Sequence, residues 1–279
     1  MRVPDKGFTH AGVFHADDVF AAALLKLLNP NIAIERGCEA PENYDGIVFD
    51  IGGGRFDHHG PHVRARENGV PYASFGLVWE EFSDQLLCQE DAQLFDESFV
   101  QPIDAADNGG NSWPITQLVA DFNPLNPSDV DEYDHRFFLA VDWALGVLER
   151  RLASINAARE ARTYVERRMQ ECGGRILVLD HIEPWKAVVA GSTYAYVIYP
   201  SVRGGYNVQA VPKSASGRKT DYLFPVSWRG VEAVQLRRST GVRDAIFCHP
   251  SGYLCAASSL QGAISMAEAA LDALSGNPR

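Results

Sequence analysis

The chain has 279 residues, of which 46% are hydrophobic, 22% charged and 10% aromatic, an ordinary globular composition that excludes a disordered chain, a collagen-like repeat and a coiled-coil rod. Its 36 acids against 25 bases give a net charge of -11, which argues against tight binding of long duplex DNA, because phosphate contacts dominate that affinity; short or small anionic substrates remain the fitting partners. No apolar run approaches the roughly 20 residues of a bilayer span and no charged-then-apolar leader is visible, so the expectation is a cytoplasmic protein with no membrane partner; the five cysteines lack CxxC spacing and read as reduced thiols.

In chain order, Gly7–His10 reads as the end of a first strand. A helix follows over Val19–Leu28, with Phe20, Leu24, Leu27 and Leu28 on one face, Asp17 and Asp18 as caps, and Asn29-Pro30 as its stop. Ile32–Arg36 reads as a second strand, and Ile47–Ile51 as a buried central strand that runs into Gly52-Gly53-Gly54. This is a βαβ opening and predicts a parallel sheet. Phe75–Leu87 has helical spacing, and Asp121–Asp134 is a loop or linker rich in Pro, Asn and Asp. Phe137, Val141, Leu145, Leu148, Leu152 and Ile155 recur at three and four, the signature of a long amphipathic helix that continues towards Glu171. Strands then appear over Arg175–Leu179, Tyr194–Tyr199, Asn207–Val211 and Ala245–Cys248, closed by an alanine-rich helix at Leu260–Leu274. The expected fold is α/β: an N-terminal doubly wound, mostly parallel sheet domain over residues 1–130, a connecting helix region over 131–172, and a second, smaller α/β substrate domain over 173–279.

Five of the eight histidines, His10, His15, His58, His59 and His62, lie in the first 62 residues among Asp17, Asp18, Asp50 and Asp57. THAGVFHADD (Thr9–Asp18) and VFDIGGG (Val48–Gly54) follow strand ends, where ligands collect in a parallel sheet. FDHHG (Phe56–Gly60) and IDAADNG (Ile103–Gly109) add two imidazoles and the carboxylates Asp104 and Asp107, each placed in a loop, with Asp107 preferred over Asp104 as a ligand. Two divalent cations about 3.5 to 4 Å apart repel unless a shared carboxylate lies between them, and each needs further N and O donors. A set of His and Asp without thiolates suits Mn, with Mg or Co as alternatives. Asp18 reads as a helix cap and His62 as an ordinary surface residue.

The ordered set THAGVFHADD, VFDIGG, DHHG and IDAADNG resembles the DHH phosphoesterase superfamily, and most of all its MYG exonuclease branch. ILVLDHIEPWK, YNVQAVP, PVSWRG and CHPSGYLCAASSLQGAISMA in the C-terminal half resemble the same family, so the match spans nearly the whole chain. The resemblance implies two metal ions per chain, held by His10, His15, Asp17, Asp50, His58 and Asp107, with Asp50 as the bridge. It further implies that His59 contacts the phosphate and that Asp57 orients a histidine from behind, so that Asp50, Asp57, His58 and His59 form the catalytic group. His15 stands where many members have an aspartate, and its spacing from His10 is one residue longer.

In the C-terminal half, Lys213, Arg218 and Arg229 are candidate phosphate contacts, Arg being suited to bidentate binding of phosphate oxygens. His249 with Ser251-Gly252 follows a strand end, where small residues let a ligand approach the backbone. Trp185 and Trp228 read as core residues. The expected activity is metal-dependent phosphodiester hydrolysis, by the resemblance a 3'-5' exoribonuclease or short-oligonucleotide hydrolase. The alternatives are a pyrophosphatase-like or small-nucleotide phosphohydrolase and a metal-binding regulatory module without turnover. A homo-oligomer is compatible with the composition.

Overall fold

The computed structural model describes residues 2–60, 64–126, 128 and 130–275; His62 lies outside them. The chain divides into two compact units, residues 1–156 and 157–279. Both are α/β, as expected. Among the described residues no helix is long and apolar enough to cross a membrane, and all five cysteines are free thiols.

The first unit begins with β1 (Lys6–His10), α1 (Ala16–Leu28), β2 (Ala33–Gly37) and β3 (Ile47–Val48). The strands form a parallel sheet in the order β2-β1-β3, so the chain steps to one side of β1 and then returns to the other. That reversal opens a crevice at the carboxyl ends of β1 and β3. The third strand is shorter than its apolar run suggests, because Asp50 takes a left-handed φ of 57° and turns the chain away from the sheet.

Helix α1 is apolar on nearly every side. Residues Val19 to Leu25 are fully buried, which suits a central helix rather than a surface one. Phe20 packs against Phe75 and Phe99 with ring centroids 5.5 and 5.4 Å away. The N-cap is His15, not an aspartate: its N–H donates to Asp18 Oδ1 at 2.9 Å, while Asp17 and Asp18 lie inside the first turn, where the helix dipole favours negative charge.

Around α1 stand α2 (Ser74–Phe82), α3 (Gln89–Phe95), α4 (Gln101–Asp107) and α5 (Pro114–Ala120). A wider turn over Asp96–Val100 joins α3 to α4. The IDAADNG segment is therefore helical up to Asp107 and not a loop; the apolar Ile103, packed with Phe99 and Val100 in the core, fixes that face inward. Helix α6 (Val130–Glu171) runs unbroken through the boundary between the units.

The second unit holds β4 (Ile176–Val178), α7 (Lys186–Val189), β5 (Tyr196–Pro200), β6 (Tyr206–Ala210), α8 (Ala233–Thr240), β7 (Ala245–Cys248), β8 (Leu254–Ala257) and α9 (Leu260–Leu274). Its sheet has the order β4-β5-β6-β8-β7, with only β4 and β5 parallel. α9 lays Ala263, Met266, Ala267 and Ala270 against it, and Trp185 and Trp228 are buried core residues.

Candidate metal centre

Three short segments at the carboxyl edge of the first sheet bring the histidines and aspartates together. The loop after β1 is pinned on two sides. Arg36 donates to Gly12 O at 2.9 Å, and Asn123 both accepts from Phe14 N–H at 3.2 Å and donates to Phe14 O at 3.0 Å. The turn after β3 is held by Asp57, which accepts from Gly53 N–H at 2.6 Å and His59 N–H at 2.9 Å. α4 is anchored by Asp104, which accepts from Gly76 N–H at 3.0 Å and from Arg66 at 2.8 Å.

His10 donates from Nδ1 to Ala11 O at 3.0 Å, which directs Nε2 at Asp18 Oδ2 and Asp50 Oδ2, both 3.1 Å away. His58 Nε2 lies 3.2 Å from Asp50 Oδ1, 3.2 Å from Asp107 Oδ2 and 3.5 Å from Asp17 Oδ2. Asp50 thus faces both imidazoles, one with each oxygen. His15 is the loosest member, with Nδ1 3.9 Å from Asp107 Oδ1. His59 packs on His58 with ring centroids 4.2 Å apart, and its Nδ1 reaches Asp57 Oδ1 at 2.9 Å. Asp57 therefore braces His59 and not His58.

Among the described residues, three groups of side chains offer N and O atoms within 4.8 Å of one another: His10 with Asp18 and Asp50, Asp50 with His58 and His59, and His15 with Asp17 and Asp107. Asp50 belongs to two of them. Asp18 completes the first triad, a role its reading as a cap concealed; the adjacent Asp17-Asp18 pair is the signal that could have found it. Asp104, the less favoured of the two helix aspartates, is committed to Arg66 and Gly76 and joins none of the three.

The electrostatics of these groups suit a cation. With Nδ1–H on the Ala11 carbonyl, a neutral His10 turns a lone pair towards two carboxylates, a repulsive arrangement unless a proton or a metal ion lies between. Burial lowers the pKa of His10, but Asp18 and Asp50 outweigh it and raise the group to about 10. Burial raises Asp50, yet His10 and His58 together take it down to about 2. Asp17 is pushed well above the usual carboxylate range by burial and by the charges of Asp50 and Asp107. Asp17 Oδ1, Asp18 Oδ2, Asp50 Oδ1 and His58 Nε2 are buried without a well-formed hydrogen bond. Groups so buried and so poorly satisfied fit divalent cations, which would take up several donors at once.

The second unit distributes the C-terminal candidates unevenly. Arg218, His249 and Ser251 line one cleft of about 400 Å³ together with Lys186, Gln209 and Tyr253. Ser251 N–H donates to His249 Nδ1 at 3.0 Å, which leaves Nε2 of that ring for a ligand. Lys213 lies outside the cleft and pairs with Asp221 at 2.8 Å. Arg229 is also outside it: Nε donates to Phe224 O at 2.8 Å, and the guanidinium lies over Gly252, whose missing Cβ makes the room. Its position is that of a brace for the turn before β8.

The family profile MYG1_exonuc, described as uncharacterised protein family UPF0160, matches residues 7–271. The chain is 30% identical to the MYG1 exonuclease of Bos taurus, over 97% of this chain and 86% of that one. It is 28% identical to the MYG1 exonuclease of Homo sapiens over 97% and 87% of the two chains, and 26% identical to the MYG1 protein of Chlamydia trachomatis over 91% and 92%. No solved structure matches it significantly. A profile match over nearly the entire length, with relatives aligned almost end to end, places this chain in the MYG1 exonuclease family.

Proposed function

We propose that the protein is a metal-dependent phosphodiester hydrolase that trims short RNA or oligonucleotides from the 3' end. The observation that carries the reading is the position of Asp50, a buried carboxylate with one oxygen on His10 and the other on His58, shared between two donor triads. Relatives named exonucleases supply the substrate class, and the net charge of -11 favours short chains over long duplexes.

In this reading His10, Asp18 and Asp50 would hold one cation and Asp50, His58, Asp17 and Asp107 another, with His15 at the edge. Mn is the favoured metal, with Mg or Co as alternatives for the same donors. Such ions supply an activated water and neutralise the charge that develops on phosphorus oxygens. The protein's own groups do the rest. Asp50 would stand between the two positive charges, Asp57 fixes the ring of His59, and His59 would present an imidazole N–H to a phosphate oxygen. In the second unit Arg218, His249 and Ser251 share one cleft and are its candidate phosphate contacts, with Lys213 outside it on Asp221. The DHH-type assignment of FDHHG rests on the same residues.

The test is product analysis with metal-depleted protein and added Mn, Mg or Co on short RNA labelled at its 5' end. A ladder shortening by one nucleotide from the 3' end is the expected result. Faster release of phosphate from pyrophosphate than of nucleotides from RNA would overturn the exonuclease assignment, and no hydrolysis with any of the three metals would overturn the enzyme assignment.

A further inference from the structure

Two cavities in the first unit adjoin the candidate metal centre, and they differ in charge. One, of about 240 Å³, is bordered by His15 and Asp107 and walled by Ile103, Ala106, Ser112 and Thr116; no Lys or Arg is among its described lining residues. The other, of about 420 Å³, is bordered by His58 and His59 and contains two guanidiniums, Arg55 and Arg64, beside the backbone of Gly53, Gly54 and Gly60.

Both arginines are held in place from behind. Arg64 Nη2 donates to the two oxygens of Glu80 at 3.0 and 2.8 Å and lies over the Tyr72 ring, 5.0 Å from its centroid. Tyr72 in turn donates its hydroxyl to Glu80 at 2.9 Å. Arg55 pairs with Glu81 and lies 5.4 Å over Phe56. Neither glutamate lines the cavity, and Glu80 faces a neighbouring cleft with Asp84 and Asp96. The two glutamates therefore lie outside the lining, in which Arg55 and Arg64 stand with one carboxylate, Asp57, itself occupied by Gly53 N–H and by the backbone and ring of His59. Fixing a guanidinium before the ligand arrives lowers the ordering cost of binding, and its planar fork matches phosphate oxygens.

We infer that Arg55 and Arg64 form a phosphate subsite beside the metal centre, which takes the phosphate next to the one attacked. The inference rests on the hydrolase reading and adds a specificity to it: substrates with two consecutive phosphate groups are preferred over isolated phosphodiesters. Water attack breaks the bond from phosphorus to the 3'-oxygen of the nucleotide that carries the neighbouring phosphate, and the terminal nucleoside, which keeps the attacked phosphate, then lies towards the cavity whose described lining lacks cations. Nucleic acid and linear polyphosphate share the recognised chemistry, and the two are separated by using both as probes.

The experiment compares wild type with Arg64→Gln, Arg64→Lys and Arg55→Gln on three substrates with added Mn: a dinucleoside monophosphate, the same dinucleotide carrying a 5'-phosphate, and inorganic tripolyphosphate. Wild type should favour the 5'-phosphorylated dinucleotide over its unphosphorylated form by at least about tenfold in kcat/KM. Arg64→Gln should reduce that value by about 10- to 100-fold on the phosphorylated form and less than about threefold on the other, with Arg64→Lys between. Turnover of tripolyphosphate with the same dependence on Arg64 would assign the subsite to polyphosphate, and its absence would assign it to nucleic acid. Equal losses on both dinucleotides would overturn the subsite while leaving the hydrolase reading in place. Calorimetric binding of the 5'-phosphorylated dinucleotide to metal-depleted protein needs no turnover: binding weakened at least about tenfold by Arg64→Gln supports the subsite, and no binding by wild type, or equal binding by the variant, overturns it. If no substrate is hydrolysed yet this binding difference holds, the hydrolase reading fails and the phosphate subsite stands.

Discussion

Replacing Asp50 by Asn tests the centre at the residue where its parts meet. The substitution is clean in shape: the amide is nearly isosteric, and Asn, like Asp, tolerates the left-handed φ of 57° that this position adopts. What changes is charge. Asp50 faces His10 at 3.1 Å and His58 at 3.2 Å, and at an effective permittivity of about 20 a unit charge pair at such distances is worth roughly 5 kcal/mol before desolvation. Removing one member of a buried charge pair costs about 3 to 5 kcal/mol in practice. If the carboxylate acts on two cations as it acts on two imidazoles, metal affinity falls by at least about a hundredfold, since about 1.4 kcal/mol is a factor of ten, and hydrolysis falls with it. Metal content after dialysis, measured by mass spectrometry, and turnover of a short RNA in Mn give the two readouts. Circular dichroism should show an unchanged fold, because α1 and the sheet keep their core. Wild-type metal content together with activity within tenfold of wild type would refute the bridging role and the two-metal arrangement that depends on it.

Two further outcomes follow from the same geometry. A Cβ at Gly76 would stand 1.8 Å from Asp104 Oδ2 and 2.6 Å from Arg66 Nη2, so Gly76→Ala must displace a buried ion pair. We expect a loss of about 3 kcal/mol, seen as a fall in Tm of roughly 6 to 12 °C, and weaker metal binding because Asp104 anchors the helix that ends at Asp107; a loss under about 1 kcal/mol would show that this close approach is dispensable. In metal-free protein, His10 has a folded-state pKa of about 10 against an ordinary 6.5, so its contribution to stability is complete below pH 6.5 and is lost as the pH rises towards 10. Chemical denaturation across that range should show declining stability, flattened in His10→Asn; a decline of the same slope in the variant would assign it to other groups.

The outline of the fold was legible because its signals are local. Apolar spacing at three and four located α1 and α6, an alanine-rich run located α9, and the βαβ opening gave the parallel sheet. What the sequence could not convey was direction. Asp17 and Asp18 are neighbours in the chain, but successive residues in a helix are turned by about 100°, so Asp17 addresses His58 while Asp18 addresses His10. A cap reading treats the pair as one signal and loses half of it. Asp104 and Asp107 pose the opposite case: three residues apart, they share a helix side, and either could point at the centre. The decision comes from Arg66, 38 positions away in sequence, which takes Asp104 and leaves Asp107 for His58. Arg229 likewise reads from sequence as a phosphate ligand, with no signal that its Nε is held by the Phe224 carbonyl five residues back.

The strained residue in this region ties those levels together. A non-glycine residue in the left-handed region costs on the order of 1 kcal/mol or more, and Asp is among the few that tolerate it. Had β3 continued in extended form through Asp50, its carboxylate would have followed the strand's alternation, up or down from the sheet, and could not have turned to the crevice at the strand's end. The left-handed step comes two residues after Val48, the last residue of the strand, and Gly52 and Gly53, both with positive φ, carry the chain back to Asp57 and the two histidines. The backbone strain, the glycine run and the placement of a carboxylate between two imidazoles are thus one device: a substitution that relieved the strain while removing the carboxylate would recover about 1 kcal/mol but lose the pairing with His10 and His58, worth about 3 to 5 kcal/mol, and so should destabilise the metal-free fold as it disables the centre.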